Sequence, residues 1–349
     1  MPALDLVVPG DPATRTGGYI YDRRILEALA ARGWQTRVHR LDASFPRPTA
    51  AAVADAAKTL ADIPAGRAVV VDGLALPGLD VALAAEAPRL RIVALVHHPV
   101  ALETGLPPAE RETIAAAEAA AIGHAAGVIV TSRWTARTLA GAGVPAERIR
   151  VVEPGTDPAP PRLPRFGTPW RLLCVGTLTP RKRHALLVEA LAPLRDRSWV
   201  LDCVGSTARD PAAAAALRGL IERHGLEGRV HLRGELDPAA VAEYYRGADA
   251  FVLASDLEGY GMALAEAVAH GLPIVSTTAG AIPDTVPAAG SLLVPPGDGA
   301  ALSAALARLF DEPGLRRRLE DGSRAARSLL PTWQEAAARF AAAIDELAA

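Results

Sequence analysis

Short apolar runs recur along the chain, each followed by a turn and then by a longer stretch with apolar residues at helical spacing. In the first half the runs are Leu4 to Pro9, Thr36 to Leu41, Ala68 to Asp72, Arg91 to Val96, Gly127 to Thr131 and Arg148 to Val152. They are rich in Val, Ile and Leu and read as strands. Between them lie helical patterns. Tyr19 to Gly33 places Ile25, Leu26 and Leu29 on one face and stops at a glycine, and Ser132 caps the segment that runs to Leu139. Near-continuous apolar strands alternating with helices predict a parallel sheet covered on both faces.

The second half restarts the pattern after a proline-dense stretch from Glu153 to Pro169. That stretch reads as a stiff linker and a domain boundary. Strands follow at Trp170 to Gly176, Trp199 to Gly205, Arg229 to Gly234 and before Ser255, with a short Pro273-Ile-Val strand after His270-Gly271. Helices are predicted over Ala185 to Leu194, Ala208 to His224, Ala300 to Leu329 and Thr332 to Leu347. A length of 349 residues suits two domains of about 150 residues each.

Composition narrows the classes. Half the residues are hydrophobic, 22% are charged and the formal net charge is −2, so bulk charge draws the chain to neither nucleic acid nor anionic lipid. Cys174 and Cys203 each sit inside a strand-like run, with no CxxC and no Cys/His cluster, and read as small buried hydrophobes in a reducing compartment. The first residues enter a strand without a signal-peptide pattern, and no apolar run approaches 18 residues. A cytoplasmic enzyme without a transmembrane segment is expected, with peripheral membrane contact left open.

Candidate chemistry gathers after the strands. Glu258-Gly259-Tyr260-Gly261 opens a turn, and Glu266 follows on a helix whose neighbours at Met262, Ala263, Ala265 and Ala269 are apolar. The glycines allow close backbone approach, and the free N–H groups of the helix start favour an anion such as a phosphate. Glu266 either accepts ribose hydroxyls or pairs with His270 four residues on. Of the 37 lysines and arginines only Lys58 and Lys182 are lysine, and Lys182 lies between Arg181 and Arg183 in a strand-to-helix turn. Cations there would neutralise a leaving diphosphate. His97 and His98 end another strand, where ligands bind in open sheets, and alternation lets at most one face a site. Gly17 and Gly18 end the glycine loop before the first helix, without the dinucleotide G-x-G-x-x-G pattern. No D-x-D metal motif is present, and no metal is expected.

The two glutamates with seven residues between them, the glycine turn and the following Gly271-Leu-Pro-Ile-Val strand resemble the retaining glycosyltransferases of family 4, which have the GT-B architecture. The resemblance covers nearly the whole chain, more densely after residue 170. It implies an α/β fold of two Rossmann-like domains with parallel sheets facing across a cleft and a C-terminal helix crossing back to the N-terminal domain, anchored by Trp333 and Phe340. The domains become 1–155 on the acceptor side, a linker at 156–169, a nucleotide-sugar domain at 170–331 and the last helix at 332–349.

The resemblance further implies that Glu258 and His97 orient the donor sugar, while Gly17, Gly18, Gly259, Tyr260, Gly261, Arg181 and Lys182 meet the donor and its diphosphate. Glu266 would hold the ribose. The family's G-R-x-x-x-x-K-G turn is altered, because Thr177 stands in the arginine position and Arg183 in the second glycine position. Arg181 or Arg15 would then supply the missing charge. The implied reaction is metal-independent transfer from a UDP- or GDP-sugar, with no cofactor, to a glycan, lipid or small molecule. A nucleotide-sugar 2-epimerase, an NAD-dependent oxidoreductase and a binding protein with a degenerate site are the alternatives.

Overall fold

The structure, a computed structural model, describes residues 2–160 and 169–347. Residues 161–168 of the proline-dense linker lie outside the described residues. The chain forms two compact units, Met1–Gly155 with Pro331–Ala349, and Thr156–Leu330.

The first unit runs β1 (Ala3–Pro9), α1 (Gly17–Ala31), β2 (Gln35–Leu41), α2 (Ala50–Ala61), β3 (Ala68–Asp72), α3 (Asp80–Glu86), β4 (Arg91–Val96), α4 (Pro108–His124), β5 (Gly127–Val130), α5 (Arg133–Gly141) and β6 (Ile149–Val151). Its sheet has the order β2-β1-β3-β4-β5-β6, and every pairing is parallel. The central strands are apolar on both faces because both faces are covered: Val69, Val70 and Val71 of β3 and Val93 to Val96 of β4 are buried. β2, with Gln35, Arg37 and Arg40, takes the exposed edge.

The second unit contains β7 (Trp170–Val175), α6 (His184–Leu191), β8 (Trp199–Val204), α7 (Pro211–Arg223), β9 (Val230–Gly234), α8 (Pro238–Gly247), β10 (Ala250–Leu253), α9 (Met262–Ala269), β11 (Ile274–Thr277), α10 (Ile282–Thr285), β12 (Ser291–Val294), α11 (Gly299–Asp311) and α12 (Pro313–Ala326). The order β12-β11-β10-β7-β8-β9, again all parallel, is the doubly wound Rossmann arrangement. The cysteines are direct neighbours across β7 and β8, free and buried.

Helix boundaries depart from the sequence pattern where local chemistry intervenes. The stretch predicted as one helix from Ala300 to Leu329 is two, because Pro313 cannot continue the hydrogen-bond ladder of α11 and instead starts α12. The helix predicted from Ala208 begins at Pro211, where the Asp210 carboxylate accepts the Ala213 N–H at 2.8 Å as an N-cap. The helix predicted over Ala185 to Leu194 tightens into a 3-10 turn at Ala192–Leu194, at Pro193. Gly17 and Gly18 lie inside the first turn of α1 rather than in the loop before it.

The last helix, α13 (Trp333–Leu347), belongs to the first unit and packs on α1. Trp333 and Phe340 are both buried. The Trp333 ring meets the Tyr21 ring edge-on at 6.2 Å, and the Arg24 guanidinium lies over it at 4.8 Å. A Cβ at Gly155 would come within 2.4 Å of the Trp333 nitrogen, so the end of the first stretch and the start of α13 touch backbone to backbone. Trp333→Ala is expected to lower the stability of the first unit by about 3–5 kcal/mol. A urea unfolding curve with an unmoved midpoint would count against that anchoring role.

Candidate functional site

In the second unit the chain leaves the neighbouring strands β7 and β10 towards opposite sides, which opens a crevice at their carboxyl ends. The loop after β7 carries Arg181 and Lys182, and the loop after β10 carries Glu258. Lys182 Nζ donates to Glu258 Oε1 at 2.6 Å, Ser255 Oγ donates to the same oxygen at 2.6 Å, and Arg181 Nη1 lies 3.8 Å from it. Oε2 has no hydrogen-bond partner among the described residues. Glu258 is buried, and burial opposes its ionisation. Lys182, then Arg181, overcome that penalty and hold the carboxyl below its ordinary value of 4.5.

The two loops are laced together beyond this pair. The Asp256 N–H donates to the Arg181 carbonyl at 2.9 Å, the Arg181 side chain donates to the Leu257 carbonyl, and Arg183 pairs with Asp256. Arg183 has φ +50°, so the position where the related turn carries glycine keeps a left-handed backbone here. Such a conformation costs a non-glycine residue about 1–2 kcal/mol. The ion pair with Asp256 offsets part of it.

A third loop, after β11, supports Glu258 from behind. Gly280 has φ +57°, and a Cβ there would lie 2.3 Å from the Glu258 carbonyl oxygen, which also accepts the Ala281 N–H at 2.8 Å. Gly261, at φ +94°, is the N-cap of α9, and its carbonyl accepts the N–H groups of Leu264 and Ala265. The N–H groups of Met262 and Ala263 precede the first helical bond and are free to meet an anion. Tyr260 is buried, and its carbonyl accepts from Thr285 Oγ1 at 2.5 Å. Gly259 sits in the same turn, half-buried.

Glu266 is half-buried on α9 near the Tyr245 hydroxyl, which donates to the Ala263 carbonyl at 3.0 Å and is pushed up by burial and then by the Glu266 charge. His270 does not pair with that carboxylate. Its Nδ1 lies 2.8 Å from the Glu266 carbonyl, and its ring stacks on Tyr245 at 4.9 Å. Burial holds His270 below its ordinary value and so favours the neutral ring.

In the first unit the chain diverges likewise between β1 and β3. His97, just past β4, faces this point, whereas His98 turns to Glu103 at 3.2 Å. His97 Nε2 lies 3.2 Å from Asp22 Oδ1 on α1 and 3.5 Å from Asp72 Oδ2 at the end of β3. A Cβ at Gly18 would meet the His97 ring at 3.1 Å, so the glycine is what lets α1 approach the imidazole. The His97 carbonyl accepts from Thr131 Oγ1 at 3.1 Å and from Thr135 Oγ1 at 3.3 Å. Glu118 on α4 accepts the Val100 and Ala101 N–H groups and pins the turn that follows. Gly17 opens α1, and Arg15 is exposed ahead of it.

Asp22, Asp72 and the role of Ser255 escaped the sequence reading, and Gly280 stood there only within a loop, Ala279 to Asp284, that resembles the family's G-G-I-P-E turn. Asp72 ends an apolar strand at the ligand-bearing edge, and Asp22 breaks an otherwise apolar helix face, so both left a signal; Ser255 and Gly280 act only through folded neighbours. Asp22, Asp72 and His97 also have the composition of a metal site, with ligand atoms within 4.8 Å of one another, and ion pairing to Nε2 accounts for the arrangement without one. A separate cavity of about 450 Å³ lies against β7, β8, β9 and α8, lined by Arg171, Asp202, His231, Arg233 and Tyr244 and remote in the fold from Glu258.

Comparison with known proteins places this geometry. The model of the Glycosyltransferase Family 4 matches residues 36–160, and that of the Glycosyl transferases group 1 matches residues 169–312. Among curated proteins, a D-inositol 3-phosphate glycosyltransferase from Xylanimonas cellulosilytica is 32% identical over 56% of this chain and 51% of its own length. An MMP alpha-(1->4)-mannosyltransferase from Mycolicibacterium hassiacum is 31% identical over 62% of this chain and 53% of its own. The chain thus spans about half the length of the curated relatives it matches. Among solved structures, a sucrose-phosphate synthase from Thermosynechococcus elongatus superposes with a TM-score of 0.83 at 24% identity, covering 99% of both chains. Anabaena HepE in complex with UDP-glucose does so with a TM-score of 0.77 at 17% identity, covering 98% of this chain and 99% of its own. Family models on both halves, two six-stranded parallel sheets and full-length likeness of fold converge: the chain belongs to the family 4, group 1, glycosyltransferases and has their GT-B fold.

Proposed function

We propose that the chain moves a sugar from a UDP- or GDP-linked donor to a hydroxyl acceptor, with retention of configuration and without a metal. The observation that carries this reading is the pair of half-buried Lys182 with buried Glu258 at the β7/β10 switch point, beside the start of α9. Lys182, Arg181 and the first N–H groups of α9 are assigned to the diphosphate. Negative charge grows on that group as the anomeric C–O bond breaks, and fixed cations and dipoles stabilise it without rearranging. Glu258 Oε2 and His97 are assigned to the sugar, Glu266 to the ribose, and Gly17, Gly18 and the turn from Gly259 to Gly261 to close backbone approach.

Retention follows if the acceptor oxygen bonds to the anomeric carbon on the face the diphosphate leaves, with the departing phosphate oxygen taking the acceptor's proton. HepE was solved with UDP-glucose, and the curated relatives include glycosyl- and mannosyltransferases, which supports a nucleotide-sugar donor and leaves the sugar to be measured. No helix among the described residues is long and apolar enough to cross a membrane.

The direct test is a thermal-shift panel of UDP- and GDP-sugars, since ligand that binds the native state raises apparent stability. The expected result is a shift with one nucleotide series, followed by nucleotide release that requires an acceptor. A panel without any shift would sink the reading. Lys182→Ala is expected to weaken donor binding about ten- to hundred-fold, the loss of one charge-assisted hydrogen bond, read by calorimetry. Glu258→Gln keeps the side chain's size and is expected to lower transfer at least about 100-fold with circular dichroism unchanged.

The pH dependence has a defined sign. Because the folded-state pKa of Glu258 is depressed, its ion pairs contribute stability above the ordinary value of 4.5, and that contribution fades as pH falls through the lowered value. The stability advantage of wild type over Glu258→Gln should therefore be present at pH 6 and vanish in acid. A gap in urea midpoint that stays constant with pH would contradict the assignment.

A further inference from the structure

Asp22 and Asp72 carry two buried carboxylates, 3% and 2% exposed, against one imidazole nitrogen. Burying two such acids side by side is costly unless a positive charge lies between them. The group that touches both is His97, through Nε2 at 3.2 Å and 3.5 Å. Asp22 Oδ2, itself buried, has no hydrogen-bond partner, so Asp22 relies on the contact through its other oxygen. The ring cannot turn away easily. Tyr21 packs on it edge-on at 5.3 Å with its hydroxyl held by the Val152 carbonyl, Gly18 lies against it, and two threonine hydroxyls hold its backbone carbonyl.

We propose that Asp22 and Asp72 are positioning residues that hold His97 as an imidazolium, so that Nδ1 presents an N–H to a ligand oxygen and His97 cannot act as a proton-accepting base. Nδ1 has no hydrogen-bond partner among the described residues, and the side chain is 19% exposed. A neutral ring donating Nε2–H to the acids would offer a lone pair at Nδ1. The imidazolium offers a charged donor instead, suited to a hydroxyl or phosphate oxygen. The proposal rests on the sugar-transfer reading only for what that N–H meets.

The electrostatics agree with the geometry. Burial by itself pushes His97 down, and Asp22 followed by Asp72 reverses this and lifts it from 6.5 to about 10. Burial raises Asp22 to about 6, against the lowering effect of His97, with Asp72 raising it further and Arg23 lowering it. Between these two values the ring is charged and Asp22 is ionised. The raised pKa of His97 also means that its contribution to stability is complete below 6.5 and is lost as pH rises through about 10.

The test is a histidine NMR titration of the full chain, whose eight imidazoles are separated by comparison with His97→Gln. In wild type the His97 resonances should keep imidazolium shifts beyond pH 8.5, and in Asp22→Asn the midpoint should fall by at least about one pH unit. Asp72→Asn gives the same reading, with a smaller fall, should Asp22→Asn not fold. A His97 that titrates near 6.5 in the wild-type chain overturns the proposal, as does a midpoint that both variants leave unmoved. Shifts that change on adding EDTA would assign the cluster to a bound metal and overturn it too. The titration uses no sugar nucleotide, so its failure is separable from failure of the transfer reading.

Discussion

Each unit concentrates charge where parallel strands end, and at both divergences the buried charge faces a counter-charge. Glu258 is the clearest case. Its carboxylate is taken out of water at the β7/β10 divergence, and it remains ionised because Lys182 and Ser255 contact one oxygen and Arg181 stands close by. Burying the acid without Lys182 would favour its neutral form, and Lys182 without the acid would be a half-buried ammonium short of its carboxylate partner. The pair fixes the two loops together. It also commits one oxygen of the acid to the lysine and the serine.

Backbone conformation is subordinate to that pair. Gly280 approaches the Glu258 carbonyl more closely than any side chain would permit, and Gly261 turns the chain so that α9 starts beside the pair. Arg183 adopts the left-handed geometry of a glycine while using its guanidinium to clamp Asp256. The altered turn therefore holds a left-handed backbone with a charged side chain on it, and Arg181 in the same turn lies 3.8 Å from Glu258.

The first unit repeats the logic with the signs exchanged. There the cation is single and the anions are two: His97 answers Asp22 and Asp72. Both centres sit where neighbouring strands send their chains to opposite sides, after β1 and β3 in one sheet and after β7 and β10 in the other. A doubly wound sheet creates such a place without reference to any particular side chain. This is why so many chemistries can be mounted there and why the fold alone does not name the sugar or its acceptor.

Most strand positions, the parallel character of both sheets and the separate character of the last helix follow from hydrophobic period, because a strand buried on both faces must be apolar throughout and a helix must carry a stripe; β12, a four-residue edge strand, escaped it. The residues of the Glu258 turn are legible for a related reason: a glycine pattern beside paired acids is a backbone requirement written locally. Tertiary structure decided the rest. That Lys182 grips Glu258 across 76 positions, that His97 rather than His98 turns to the acids, and that Glu266 lies near Tyr245 instead of pairing with His270 all depend on strand order and on which face each residue presents. Asp22 and Asp72 lie 50 residues apart in sequence, and nothing in either neighbourhood states that β3 will lie beside β1 and carry its acid to α1. Local sequence sets what each segment can be, whereas partners distant along the chain are chosen only when the sheet closes and buried charge must find its counter-charge.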